Sequence, residues 1–441
     1  MSEDEWFPQQ TNGRRNNALP DRFHVQRGSR QPPSIWNNGN AALLMLNSLM
    51  FGEDESINGL IQQEMNPQML CNELADYPFQ FPPEDIYGPI NTGYSEVNGN
   101  PAGIYPGDVH LLIVGASNMG KSTLNRHVMR GYMNAGIPIL VIDFENEYPA
   151  LLNDARINVL GVDTLRWNPL EVPPGMDPIL YRQMFCSVFS DQLGLLIASK
   201  GFLLKAVDAL YKLYGVYDGS GNYPSMFELA DFLKKMLERQ KSNTRTYTYG
   251  EVCLNRAEGF TLALPHVLDC STGMPLHTLT RGHTILSLHG IDFEYQALFV
   301  NLILSWLCCH RIANGLRNNP TYDLAVFIDE AQRLFDAQLE RRQYQGIPTI
   351  SHLIATVRKY NLKICVSAQQ PSLLASSIKA NSFCKIMLAL GEGGDIMDMG
   401  TSMFLTPEQT YYSRKLERGQ AIVKFSGRWT EPFIIRIPYE E

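Results

Sequence analysis

The sequence has no uninterrupted run of about 20 apolar residues of the kind that crosses a bilayer, no C-x-x-C pair and no surplus of basic side chains. Its longest apolar runs, near 41–51 and 297–309, are short and interrupted. No transmembrane segment is therefore expected, and any membrane association would come through partners. The first forty residues are polar, which gives no sign of a secretory signal. Lys and Arg total 37 against 45 Asp and Glu, a net charge of −8. That balance argues against general coating of nucleic acid but leaves room for a local basic channel. The 8 cysteines among 441 residues sit partly inside apolar runs. They read as reduced, buried small hydrophobes of a cytoplasmic protein, rather than as a disulfide framework or a zinc site.

What is present is a core. Hydrophobic residues make up 44% of the chain, enough for two or three domain-sized units or for one large α/β domain with an insertion. Residues 1–38 are rich in Asn, Gln, Arg, Pro and Ser and read as a disordered arm. A short helix is expected over 41–51, then a Pro-, Gly- and Asn-rich linker over 77–107. Taken together, 1–84 reads as an N-terminal arm able to take a protein partner, and 85–441 as the folded domain. Within that domain 172–277 reads as a mostly helical insertion, with helices over 181–195, 201–213 and 225–239. Strands are expected over 109–114, 137–142, 284–288, 324–328, 362–367 and 385–390, helices over 121–135, 295–313 and 350–360, and a closing hairpin from 420–425 and 433–437. The order strand–loop–helix–strand after residue 109 is a βαβ unit, and the whole is an α/β fold.

The loop of that unit carries the strongest signal. Gly115, Ala116, Ser117, Asn118, Met119, Gly120, Lys121 and Ser122 fit G-x-x-x-x-G-K-[ST], and Thr123 follows. Such a loop turns backbone N–H groups inward around phosphates, so the glycines must leave that space open. Lys121 supplies charge to the β- and γ-phosphates, and the Ser122 hydroxyl is a ligand for Mg²⁺. The helix that starts there points its positive end at the anion. The motif follows a strand and opens a helix, which is the context it requires. All three critical side-chain types are intact, which argues against a loop that has lost its ligand. ATP and Mg²⁺ are the expected cofactors.

The apolar strand 324–328 ends in Asp329 and Glu330. Acids at the carboxyl end of a parallel strand sit where ligands bind in such sheets. Asp329 would hold the metal shell and Glu330 would polarise the attacking water. The alternative is a solvated acidic pair, which is common in isolation. Gln369, just past the next strand, is placed to sense a γ-phosphate; the alternative there is a surface-loop glutamine.

These elements together resemble the FtsK–HerA superfamily of ring-shaped DNA-pumping ATPases, closest to its HerA branch and the related ATPases of conjugation and type IV secretion. The carrying runs are HLLIVGASNMGKST from His110, ILVIDFENEY from Ile139, RWNPL from Arg166, IDEAQRLF from Ile328, LIATVRKYNLKICVSAQQP from Leu353, and GQAIVKF with PFIIRI at the end of the chain. The resemblance spans about 85–441. It implies a RecA-like core with an additional strand between the phosphate-loop strand and the Asp-Glu strand. It also implies a homo-oligomer, a hexameric ring with nucleotide between neighbours, and a neighbour's arginine completing each site. Arg358 matches that arginine, whose charge would stabilise the developing γ-phosphoryl charge; otherwise it is a cation facing a helix end. Arg256 and Arg281 are weaker alternatives. Glu147 matches an acid of the family without a clear role. The sequence departs from the family at Asn118-Met119 and Asn146, and it lacks room for the N-terminal β-barrel of HerA.

A DNA pump needs basic or hydrogen-bonding groups on pore loops that touch the sugar-phosphate backbone. Residues 340–346 and the stretch from Lys234 and Lys235 through Lys241 to Arg245 are the candidates; each is otherwise a solvated charged surface. The expected activity is ATP-driven DNA translocation or unwinding through a central pore, in conjugation, a mobile element, genome packaging or defence. The alternatives are a secretion ATPase that moves protein and a nucleotide-switched scaffold.

Overall fold

The computed structural model describes residues 77–80, 86–108, 110–242, 244–317, 323–341, 358–429 and 431–438. The expected arm over 1–38, the helix over 41–51, the loop 342–346 and most of the helix over 350–360 lie outside these residues.

Eleven strands among the described residues form one sheet in the order β2-β1-β11-β10-β9-β3-β8-β7-β4-β6-β5. Its parallel part holds β3 (Leu111–Val114), β4 (Ile139–Asp143), β5 (Ile157–Leu160), β6 (His283–Ser287), β7 (Leu324–Ile328), β8 (Leu362–Ala368) and β9 (Cys384–Leu388). These strands are runs of Leu, Ile and Val because both faces are covered, as parallel sheets require. On β3, Leu111 and Ile113 pack into one buried cluster and Leu112 and Val114 into another on the opposite face. Each such side chain contributes about 1.5–3 kcal/mol when fully buried. The additional strand expected between the phosphate-loop strand and the Asp-Glu strand is β8, hydrogen-bonded to β3 on one side and β7 on the other. The closing hairpin is β10 (Gln420–Phe425) with β11 (Phe433–Arg436), paired antiparallel.

One face of the sheet is covered by α1 (Lys121–Asn134), whose Leu124, Val128, Tyr132 and Met133 are buried there. The other face carries α3 (Pro178–Leu193), α4 (Ile197–Leu213), α5 (Met226–Glu238) and α6 (Arg245–Ala263), which lie between β5 and β6 in the chain, together with α7 (Phe293–Ala313). The short α2 (Tyr148–Leu152) follows β4. Helix α5 starts in a capping box between Ser225 and Glu228, a device that satisfies two orphan N–H groups and is worth about 1 kcal/mol.

Three sequence readings change. The stretch 77–107 is not a plain linker: it forms β1 (Ile90–Ser95) and β2 (Pro101–Ile104), an antiparallel pair that extends the sheet beyond β11. Gly88, Gly93 and Gly103 mark close approach of backbone rather than looseness: a Cβ on Gly103 would meet Gly88 O at 2.4 Å. Strand β5 escaped notice because it is an edge strand with two of its four residues exposed. Helix α7 is 21 residues long and apolar enough to cross a membrane, longer than its apolar run suggested. Most of that apolar window, 78%, is buried inside the fold, so α7 is a core helix here.

Among the described residues seven cysteines are free, and all of them but Cys270 are buried. Burial pushes the Cys186 thiol up to about 12.

Candidate functional site

The carboxyl ends of β3, β4, β7 and β8 open into a cleft of about 330 Å³, within the range of small-molecule sites. Ala116, Ser117, Asn118, Gly120, Lys121, Ser122 and Thr123 line it from the phosphate loop. Gly115 and Met119 lie beneath this surface. A Cβ on Gly115 would stand 2.9 Å from Leu388 Cβ, so the glycine lets the loop pass over β9. Met119 packs against the buried cluster under α1, and its carbonyl accepts the N–H of Gly419 at 3.1 Å. Gly120 has φ 108°, a conformation that side chains rarely adopt. Asn118 takes φ 64°, a region in which asparagine is tolerated.

Opposite the loop stand the two acids. Lys121 Nζ lies 2.9 Å from Glu330 Oε1 and 3.2 Å from Asp329 Oδ1, with all three side chains largely buried. Gln369 Nε2 donates to Glu330 Oε1 at 2.5 Å, and Ser117 Oγ donates to Gln369 Oε1 at 2.8 Å. Gln332 Nε2 donates to the second oxygen, Glu330 Oε2, at 2.5 Å. Glu330 itself sits at φ 49°, a left-handed conformation that costs a side-chain-bearing residue about 1–2 kcal/mol. The strand end thus turns sharply, so that Asp329 and Glu330 face the cleft from different directions.

Asp329 is held by residues that sequence reasoning passed over. Ser367 Oγ donates to Asp329 Oδ1 at 2.6 Å and Tyr148 Oη donates to Asp329 Oδ2 at 3.0 Å. Asn125 Nδ2, one turn beyond Lys121 on α1, donates to both of those hydroxyls, at 2.8 Å to Ser367 and 3.1 Å to Tyr148. Tyr148 is placed in turn by Asp143, whose carboxylate accepts the backbone N–H groups of Glu145, Glu147 and Tyr148 at 3.3, 3.2 and 3.0 Å. In the D-x-x-x-E-Y run it is therefore Asp143 and Tyr148 that build the site. Glu147 lies exposed at the rim. Burial raises the Asp143 carboxyl above its ordinary range. Glu147 is also raised, by desolvation first and then by the charges of Glu145, Asp329 and Asp143. The signal for this network in the sequence was weak, because its members come from four separate segments that only the sheet brings together.

The remaining candidates are scattered. The backbone of Arg358 begins a short turn at the amino end of β8. That is the opposite end of the sheet from the chain's own phosphate loop, about 20 Å away along a seven-residue strand. Arg256 is paired with Glu294 at 2.6 Å on the surface. Arg281 precedes β6 at the same far end of the sheet. Glu340 accepts the N–H groups of Ser376 and Ser377 at 2.6 and 3.2 Å, so it caps the helix Ser376–Asn381. Lys234, Lys235, Lys241 and Arg245 are exposed where α5 passes to α6. One cation that the sequence did not single out, Arg418, does line the cleft.

A metal at this site would need partners beyond carboxylates. Among the described residues no group of three or more His, Cys, Asp or Glu side chains is arranged to hold an ion alone. The anionic wall of Asp143, Glu147, Asp329 and Glu330 faces Lys121 across the cleft. A hard divalent ion arriving with a polyphosphate fits this arrangement, with Ser122 and Asp329 as the protein side of its shell.

No family model matches the sequence, and no curated protein matches it. Solved structures do match in fold. VirB4 of Thermoanaerobacter pseudethanolicus superposes with a TM-score of 0.63 at 20% identity, covering 80% of this chain and 96% of that one. The bacterial conjugative coupling protein TrwB superposes with a TM-score of 0.55 at 15% identity, covering 80% of this chain and 89% of that one. TrwB has also been solved in complex with ADP and Mg²⁺, at the same TM-score and identity, covering 84% of this chain and 92% of that one. At these identities the likeness establishes a shared fold, the RecA-like P-loop core expected from the resemblance.

Proposed function

We propose that this chain is a motor ATPase of the FtsK–HerA type, which hydrolyses Mg-ATP at the Lys121–Asp329–Glu330 cleft and uses the turnover to move DNA. The observation that carries the reading is the meeting of Lys121, Asp329, Glu330 and Gln369 at the mouth of one phosphate loop. The strands that lead into them, β3, β8 and β7, lie side by side in the sheet, although β4, β5 and β6 separate β3 from the other two in the chain. The fold shared with TrwB, solved with ADP and Mg²⁺, supports the same ligands.

In this reading the loop N–H groups receive the triphosphate, and Lys121 leaves the acids for the β- and γ-phosphates. Ser122 and Asp329 would hold Mg²⁺, which neutralises phosphate charge when bound. Glu330, freed from Lys121, accepts a proton from the attacking water. Gln369 bridges Ser117 on the loop to Glu330. It is therefore placed to report the γ-phosphate to the base. Arg358 stands too far from its own cleft to act there, which suits a role in a neighbour's site within a ring of copies. The exposed basic stretch between α5 and α6 is a candidate DNA contact. The N-terminal arm is a candidate protein-binding segment, and partners would recruit an otherwise cytoplasmic ring to a membrane.

A second reading, an ATPase of type IV secretion that moves protein, is favoured by the net charge of −8. Steady-state ATPase activity with and without linear and single-stranded DNA, beside Lys121→Ala and Glu330→Gln, separates the two. Stimulation by DNA that both substitutions abolish supports the DNA motor. Turnover indifferent to DNA at low and high salt contradicts it.

A further inference from the structure

We infer that Arg418 is a nucleotide-binding residue of its own chain's site, clamping the phosphate nearest the nucleoside of ATP or ADP. The inference rests on the nucleotide reading above and deepens it.

Arg418 lines the same cleft as the phosphate loop and is exposed there. Its position is fixed by the backbone around it. Glu417, Arg418, Gly419 and Gln420 form a turn closed by Gln420 N–H to Glu417 O at 3.0 Å. Gly419 has φ 82°, the left-handed conformation that a turn with glycine third requires. The Gln420 side chain accepts the Glu417 N–H at 2.7 Å. Gly419 donates to Met119 O at 3.1 Å and accepts from Ile437 N–H at 2.8 Å. Gly120 and Gly419 are in near contact, because a Cβ built on Gly120 would stand 3.9 Å from the Gly419 Cα. The turn is thus tied directly to the phosphate loop, with Arg418 at its tip.

The sheet order decides which end of the nucleotide it meets. Asp329 and Gln369 follow β7 and β8, on one side of β3, whereas Arg418 precedes β10, which lies beyond β9 on the other side. Ala421 of β10 pairs with Leu388 of β9, so the start of β10 lies at the carboxyl end of the parallel strands. The carboxylates and Gln369 take the terminal phosphate and its metal. A polyphosphate crossing the loop therefore brings its nucleoside end to Arg418. A guanidinium presents paired N–H donors that match two phosphate oxygens, which favours this contact over a diffuse surface charge.

The test is equilibrium binding of fluorescent ADP and of a non-hydrolysable ATP analogue, with steady-state turnover, for the full chain, Arg418→Ala and Arg418→Lys. The expected result for Arg418→Ala is a loss of affinity of about tenfold or more, equal for ADP and the ATP analogue, with a matching rise in KM. Arg418→Lys should restore part of it, and kcat at saturation should change far less than KM. Unchanged affinity for both ligands overturns the inference. So does a loss confined to the ATP analogue, or a fall in kcat at unchanged affinity, since either would place Arg418 at the terminal phosphate or in a neighbour's site. Wild-type chain that binds neither ligand would overturn the nucleotide reading itself, an outcome distinct from equal binding by wild type and variant.

Discussion

Lys121 Nζ stands 2.9 Å from Glu330 Oε1, so the cation proposed to bind phosphate and the acid proposed as the base form an ion pair with each other. The pair is largely buried, and removing one member of a buried pair costs about 3–5 kcal/mol because the other charge is left exposed to a low dielectric. Lys121→Ala should therefore lower the melting temperature of the nucleotide-free protein as well as abolish turnover. Adding Glu330→Gln should recover part of the loss, giving a coupling energy of about 1 kcal/mol or more in a double-mutant cycle. Additive shifts would contradict the pairing.

Asp329 depends on two hydroxyls that share one donor, Asn125. Outer partners of this kind typically contribute about 10–100-fold in metal affinity or activity. Tyr148→Phe and Ser367→Ala should each lower kcat within that range and raise the Mg²⁺ concentration needed for half-maximal rate. Because both act through Asp329, the double variant should lose less than the product of the two. Mg²⁺ titration of the ATPase rate checks this, and an unchanged Mg²⁺ requirement would count against the assignment of Asp329.

Gln369 bridges Ser117 on the phosphate loop to Glu330. Gln369→Ala should reduce kcat by about 10-fold or more while leaving nucleotide affinity nearly unchanged, the pattern of a contact made mainly in the transition state. Weakened ADP binding with normal kcat would contradict that role.

Lys385 offers a pH test of the packing. It is buried and donates to Ser402 O at 2.7 Å at the end of the helix Gly393–Met403. Desolvation, then the charges of Lys424 and Lys379, lower it from 10.5 to about 8. Between these values the unfolded chain binds the extra proton, so stability should rise with pH from about 8 to 10.5 and be lost as pH falls through 8. A shift of this size corresponds to about 3 kcal/mol at most. Thermal melts of wild type and Lys385→Met across that window should show the wild type gaining relative to the variant as pH rises. A constant difference would contradict the buried charge.

The phosphate loop and the Asp-Glu strand were legible in the sequence because each rests on local demands. Gly115 must clear Leu388, Gly120 must reach positive φ, and a buried strand must end where the acids begin. The hairpin of β10 and β11 was legible as two short apolar runs on either side of a polar stretch that holds Gly427. What escaped was tertiary. Ser367 on β8, Tyr148 after β4 and Asn125 on α1 converge on Asp329 only because the sheet places β8 between β3 and β7. Strand β1 was hidden by Gly93, whose φ of 151° accompanies a register shift in the β1–β2 pair. Arg418 was hidden because an exposed arginine in a turn carries no signal until the turn is seen bonded to the phosphate loop.

The most direct test is a single-turnover experiment with radiolabelled ATP and Mg²⁺ on the wild-type chain and Glu330→Gln, measuring bound ATP and released phosphate together. Both proteins should bind ATP, and the variant should release phosphate at least about 100-fold more slowly, as expected when a general base is removed. Equal phosphate release by the two proteins would contradict Glu330 as the base and, with it, the hydrolytic cleft described here.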